Sequence, residues 1–236
     1  MDIETKIRHY QTPEAAISLV KETPVVLLVG IAGAGKDTIK KRLLKTGRFY
    51  DLVSHTTREP RKNNGQWEKD GADYHFIDNS TAATMLDDEA FIEAKFVHGT
   101  VYGTSLAELA NARDQGKIAV TDIDVQGVAE YIKISPNVIP IFILPPNYDE
   151  WRRRLEARYE NHEVFMKEWP KRRASAIREI QHVLDVSYYY FLVNSDIDES
   201  VEAAEQIATS PDINAPKNIV MREIATELLH AIEASS

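Results

Sequence analysis

The sequence predicts an α/β fold, a parallel sheet flanked by helices, and three observations carry that prediction. Four short runs rich in β-branched or aromatic residues, Val25–Val29, Ile118–Ile123, Val138–Leu144 and Tyr189–Val193, have the length and composition of strands buried on both faces. Stretches of helical pattern alternate with them, at Ser105–Gln115, Val125–Ile132, Asp149–Arg158, Lys171–Val186 and Ser200–Thr209. The length, 236 residues, suits one large α/β domain or two small ones and is enough to bury a substantial core.

Taken in order, Met1–Tyr10 mixes Asp2, Glu4, Lys6 and Arg8 and so lacks the apolar centre of a secretory leader. No run approaches the ~20 apolar residues of a membrane span. The chain reads as cytoplasmic, with no membrane partner. Residues 1–23 are set apart as an N-terminal extension of the main domain, 24–210. Within that domain, residues 50–102 are rich in Gly, Asp, Asn, Tyr and Thr and include a short aromatic strand, Tyr74–Ile77; they read as an inserted subdomain. A helix is expected from Ser80, as N-cap, to Asp88. Residues 155–178 are densely charged around an irregular Glu160–Pro170, which reads as a mobile flap, or lid, between helices. Beyond Pro211, Ile219, Ile224, Leu228, Leu229 and Ile232 mark an amphipathic terminal helix in a C-terminal extension, 211–236. That face can pack on its own core or on a second subunit, so monomer and homodimer both stay open.

Composition narrows the function. Lys and Arg number 28 against 37 Asp and Glu, a net charge of −9, which argues against a surface that grips nucleic acid. The absence of cysteine excludes disulfides, thiolate catalysis and Cys-ligated zinc or iron–sulfur sites.

The first strand runs directly into Gly30-Ile31-Ala32-Gly33-Ala34-Gly35-Lys36-Asp37-Thr38, a G-x-x-x-x-G-K core between strand and helix. In such a loop the glycines let successive backbone N–H groups turn around phosphate oxygens. The helix N-terminus adds its partial positive charge. Lys36 brings a point charge to the β- and γ-phosphates. The loop therefore predicts a nucleoside triphosphate bound by Gly30, Ala32, Gly33, Ala34, Gly35 and Lys36, in a P-loop NTPase-type sheet. A hydroxyl normally follows the lysine and ligates Mg²⁺. Here that place holds Asp37 and the hydroxyl comes one residue late, at Thr38, so either side chain is a candidate ligand.

A second anion site is expected nearby in sequence. Lys36 to Lys62 holds nine Lys or Arg against three Asp or Glu, inside an acidic protein. Ser54-His55-Thr56-Thr57-Arg58-Glu59-Pro60-Arg61 leads to Asp70-Gly71-Ala72-Asp73-Tyr74-His75-Phe76, then Phe91-Ile92-Glu93, then Val101-Tyr102-Gly103-Thr104-Ser105. Two arginines three residues apart can fork onto one phosphate, with tyrosine hydroxyls completing a cage.

In order and type these motifs resemble those of guanylate kinases, and the likeness spans residues 24–210. Asp122-Ile123-Asp124-Val125-Gln126-Gly127 is similar to a further signature of that family. The resemblance implies phosphoryl transfer from Mg·ATP to GMP, and to dGMP, with an inserted GMP-binding subdomain and a helical lid. It assigns Arg58, Arg61, Tyr74 and Tyr102 to the GMP phosphate. Glu93 becomes the acceptor for guanine N1–H and N2–H₂, and Ser54 and Thr104 supply hydroxyls near the base. Asp122 falls to the Mg²⁺ shell and Asp124 to the acceptor's ribose or base. Lys36, Arg58, Arg154, Arg158 and Arg172 become the cations that neutralise the transferring group. Asn194 matches a position that contacts adenine, although Asn also suits a strand-ending turn. Asp122 and Asp124 also read as a strand-end pair capping the next helix. Chemistry supports Glu93 independently, since adenine lacks both donors and would leave a buried carboxylate unpaired.

Two departures stand out. After the first lid helix the family usually has R-G-R-G-T, where this chain reads Glu156-Ala157-Arg158-Tyr159-Glu160-Asn161. The loop Lys62–Lys69 is expanded, and Gln66 stands where the family usually has Glu. Two other readings are a ribose 1,5-bisphosphate kinase of similar fold, whose loop also tends to read G-K-D, and a phosphopeptide-binding module without catalysis. The intact Gly35 and Lys36 weigh against the second.

Overall fold

The computed structural model describes residues 2–63 and 66–235. Asn64 and Gly65, the centre of the expanded Lys62–Lys69 loop, lie outside the described residues, as do Met1 and Ser236. In chain order the elements are α1 (Ile3–His9), α2 (Glu14–Glu22), β1 (Val25–Val29), α3 (Lys36–Lys45), β2 (Phe49–Asp51), β3 (His55–Thr56), β4 (Lys62–Asn63), β5 (Gln66–Trp67), β6 (His75–Phe76) and α4 (Asn79–Asp87). They continue as β7 (Phe91–Val97), β8 (Thr100–Ser105), α5 (Leu106–Asp114), β9 (Ile118–Asp122), α6 (Val125–Ile134), β10 (Ile139–Leu144), α7 (Tyr148–Glu156), α8 (His162–Asp185), β11 (Tyr190–Val193), α9 (Ile197–Thr209) and α10 (Pro216–Ala234). The α/β class is as predicted, with parallel strands flanked by helices.

Two compact units share the chain. One is drawn from Val26–Arg48, Asp122–Ala129 and Ile139–Ser236. In it β10 lies between β1 and β11, both parallel to it, with Val26 opposite Ile139 and Ile141 opposite Tyr190. Every residue of β1 and β10 is buried, which is why both read as unbroken apolar runs. The helices around these strands start on side-chain caps. Asn147 accepts from the Glu150 N–H, Asn161 from Val164, and Asp196 from Asp198 and Glu199, while α10 opens on Pro216.

The other unit is drawn from Met1–Val25, Phe49–Thr121 and Glu130–Val138. β2 and β9 pair in parallel, Phe49 opposite Ile118. A four-stranded sheet runs in the order β6-β3-β8-β7, and β4 and β5 pair antiparallel as a separate hairpin. Phe91, Val101, Leu86 and Ala82 form its core together with Ile7 of α1. Tyr10 reaches the same core: its hydroxyl donates to the Phe91 carbonyl (2.7 Å) and accepts from the Phe91 N–H (3.1 Å).

Two expectations need correction. The cap of α4 is Asp78, not Ser80; its carboxylate accepts from the Thr81 N–H and takes the Ser80 hydroxyl as well. The extension 1–23 carries two helices that bury Ile7, Ala16, Leu19 and Val20. The stretch Glu160–Pro170 is helical from His162 onward, because α8 runs unbroken through Pro170. Proline removes one N–H and so frees the Met166 carbonyl. Pro170 and Met166 are both exposed, so water can take that carbonyl, while Phe165 and Trp169 are buried and hold the turn in place. Among the described residues no helix is long and apolar enough to cross a membrane.

Candidate active site

The phosphate loop is shaped by what its glycines leave room for. Gly30 leaves β1 at φ +147°, and a Cβ there would stand 2.3 Å from the Ile143 carbonyl oxygen of β10. Gly35 has φ +101°, and its Cβ would stand 2.2 Å from Asn194 Nδ2. Neither place admits a side chain, which is the physical content of the G-x-x-x-x-G spacing. Two loop carbonyls are held by buried side chains. Trp151 Nε1 donates to the Ala32 carbonyl (2.8 Å), and Asn194 Nδ2 donates to that of Ala34 (2.8 Å). Asn194 Oδ1 accepts from the Ser200 hydroxyl (3.2 Å), and its backbone N–H donates to the Leu144 carbonyl (2.7 Å). The Asn194 side chain is thus engaged at both ends in bracing the loop. Neither Trp151 nor Ser200 was singled out from the sequence; a buried Trp and a helical Ser carry no positional signal there.

Charges converge on this unit. Lys36 donates from Nζ to the Gly30 carbonyl. Burial pushes its ammonium below the usual lysine value, Asp37, Glu179 and Asp122 work the other way, and Arg158 adds to the fall. Arg158 stands 3.7 Å from Asp37, both side chains more than half exposed, so the pair is strongly screened. Lys40 pairs with Asp122 at 3.0 Å. Burial opposes the Asp122 charge, but Lys40 and Lys36 outweigh it and hold the carboxyl below its ordinary value. Asp124 accepts from the Gly127 N–H (2.6 Å) at the start of α6, in the manner of a cap. Arg154 bridges Glu150 (2.7 Å) and the Asn194 carbonyl (3.1 Å). Arg172, in mid-helix rather than at a helix start, donates to the Tyr159 hydroxyl (2.9 Å). Thr38 is exposed on the first turn of α3.

The second unit assembles the other predicted residues. Glu93 of β7 faces Thr104 of β8. Its Oε1 accepts from the Thr104 N–H (3.1 Å) and hydroxyl (2.9 Å), and Ser54 Oγ lies 3.4 Å from that hydroxyl. Gly103 lets the strands close up, since a Cβ there would be 2.8 Å from the Glu93 carbonyl oxygen. Tyr131 of α6 is fully buried, and burial pushes its phenol far up, with the charge of Glu93 adding and Thr104 opposing.

Arg58 lies over the Tyr74 ring at 5.2 Å, and Tyr74 meets Tyr102 edge-on at 6.1 Å. The guanidinium is gripped by Glu68, Nη1 to Oε2 at 2.8 Å and Nη2 to Oε1 at 3.0 Å, with the two side chains 10% and 8% exposed. Glu68 Oε2 also accepts from the Arg61 N–H (2.7 Å), while Arg61 itself is exposed. The acid of this loop is therefore Glu68. Gln66 is an exposed residue of β5 and leaves no carboxylate missing. Nearby, His55 stacks on His75 at 4.6 Å; burial, with His75 adding, lowers its pKa to about 4.

An α/β fold with a glycine-braced loop and a half-buried lysine between a buried strand and a helix defines the class of P-loop nucleotide-binding proteins. A family model described as guanylate kinase matches residues 21–210. The chain is 38% identical over 190 residues to the guanylate kinase of Syntrophotalea carbinolica, covering 79% of this chain and 85% of that one. It is 34% identical over 200 residues to the guanylate kinase of Sulfurimonas denitrificans, covering 84% and 93%. The crystal structure of guanylate kinase from Anaplasma phagocytophilum superposes with a TM-score of 0.56 at 27% identity, covering 82% of this chain and 88% of that one. The chain belongs to the guanylate kinase family and is an enzyme, a nucleotide-binding transferase.

Proposed function

We propose that this chain transfers the γ-phosphoryl group of ATP to GMP, and to dGMP, giving GDP or dGDP and ADP. The bond from the γ-phosphorus to the bridging oxygen of ADP breaks, and a bond to a GMP phosphate oxygen forms. The observation that carries the acceptor assignment is Glu93, whose Oε1 is tied to Thr104 while the carboxylate stays a pure acceptor. Guanine offers N1–H and N2–H₂ to such a group and adenine offers neither, so AMP would forgo both of these hydrogen bonds.

Little covalent chemistry falls to the protein in such transfers. The loop from Gly30 to Gly35 holds the ATP phosphates, and Lys36 exchanges the Gly30 carbonyl for a phosphate oxygen. Arg154 and Arg158 stand in the same unit, where Arg158 adds positive charge near Lys36. Arg172 completes the set of cations. Arg58, Arg61, Tyr74 and Tyr102 hold the acceptor phosphate, and Ser54 and Thr104 frame the base. Asn194, engaged with Ala34, serves the donor site by bracing the loop, and Asp124 borders the acceptor.

Mg²⁺ suits this donor set. Asp37, Thr38 and Asp122 are oxygen donors at least partly open to solvent. Among the described residues no three acidic or histidine side chains cluster as a cage of their own. Mg²⁺ bound with phosphates needs only one or two such groups and keeps several waters. When bound, it supplies charge neutralisation on the β- and γ-phosphates. For the assembly, a monomer or a homodimer is proposed.

The test is ADP formation from Mg·ATP with GMP, dGMP, AMP, CMP, UMP and ribose 1,5-bisphosphate side by side. Turnover confined to GMP and dGMP is expected. Turnover with ribose 1,5-bisphosphate, or with none of them, overturns the reading.

A further inference from the structure

Arg58 has five N–H donors arranged as two forks, one formed by Nη1 with Nη2 and the other by Nε with Nη2. Glu68 fills the first fork with both oxygens, and the Glu59 carbonyl takes a further Nη1 donor at 2.8 Å. Nε is buried and has no hydrogen-bond partner among the described residues. A buried orphan donor is costly and calls for an explanation. A ligand that completes the second fork supplies one.

Taken with the reading that Arg58 binds the GMP phosphate, on which this rests, we propose that Glu68 is a positioning residue: it fills one fork of Arg58 and so presents the Nε–Nη2 fork to the acceptor phosphate. Three features make Glu68 a fixture. It accepts from Arg58 twice and from the Arg61 N–H once, stitching the turn that carries both arginines. The pair is nearly buried, where removing one partner leaves the other charge uncompensated. The Tyr74 and Phe76 rings cover the guanidinium at 5.2 and 6.0 Å, which restricts its other rotamers. The opposite role is also definable. If Glu68 stood in for the substrate phosphate and had to leave, its removal would strengthen GMP binding.

The experiment compares E68A, E68Q, R58A and the double variant R58A/E68A by steady-state kinetics and by calorimetric titration with GMP, after thermal melts show that each is folded. E68A is expected to raise the KM and Kd for GMP about tenfold, with the KM for ATP unchanged. E68Q keeps one acceptor and should fall between E68A and the parent. Adding E68A to R58A should cost nothing further, because Glu68 acts through Arg58. Tighter GMP binding in E68A or E68Q overturns the proposal in favour of a competitor. A lower melting temperature or kcat with an unchanged KM for GMP overturns it in favour of a purely structural pair. If R58A itself leaves GMP binding intact, the Arg58 assignment fails first; if only R58A weakens GMP, Glu68 alone is misassigned.

Discussion

Under the proposed function, the phosphate loop and the acceptor region bind anions by different means. The loop is a main-chain device, with two glycines that no side chain can replace, carbonyls tied down by Trp151 and Asn194, and one lysine parked on the loop's own backbone. The acceptor region is a side-chain device on strands of two to seven residues, where the charge of Arg58 is held by Glu68 and His75 Nε2 lies 3.2 Å from Glu108. Main-chain N–H groups recognise any triphosphate, since every residue but proline carries one. Side chains select among bases, because their donors and acceptors differ. Generic affinity and specificity are thereby separated along the chain.

Substitutions can break that comparison, starting with the largest effect. Lys36→Met should lower kcat by about a thousandfold while GMP binding, read by titration, stays as it was; a matching loss of GMP binding would mean that the two devices are not separable. Glu93→Ala should cut kcat/KM for GMP about a hundredfold and leave the KM for ATP alone. Equal losses for both nucleotides would remove Glu93 from base recognition. Asn194→Ala deletes a buried amide bonded to Ala34 and Ser200, so a loss of about 1–3 kcal/mol is expected in a denaturant melt. The KM for ATP should rise with it, and an unchanged KM would show that the loop needs no brace.

The smallest effect concerns pH. His55 is held neutral, with its pKa lowered to about 4 against 6.5 for a free histidine. Between these values the unfolded chain binds the proton and the native chain does not. This contribution to stability is complete above pH 6.5 and drains away as pH falls toward 4. Melting temperatures of the parent and of His55→Asn, followed from pH 7 to pH 4, should differ in slope over that window; parallel curves would assign the acid sensitivity elsewhere.

Legibility followed the same division. The loop could be read from spacing alone because glycine positions, a lysine and a preceding apolar strand are all local signals, and β1 spans Val25–Val29 as expected. Ser54, Glu93 and Thr104 were also legible, and the structure gathers them as their motifs suggest. Glu68 was not, since one acid in a polar hairpin has no periodicity and its partner lies ten residues upstream. Pro170 misled because proline is a local breaker, whereas the burial of Phe165 and Trp169 on the same helix is a tertiary fact. Asp78 and Ser80 are both good caps two residues apart, and only the Thr81 N–H shows which one is used.

The double bond of Tyr10 to the Phe91 backbone has a consequence for solubility. β7 is the outer strand of its sheet, and an open strand edge invites pairing with another chain. A single phenol there satisfies one N–H and one C=O, as a neighbouring strand would, while α1 packs beside it. Tyr10 thus covers that edge at Phe91. Tyr10→Phe, which keeps the packing and uncovers the edge, should aggregate faster than the parent at equal melting temperature, with light scattering as the measure.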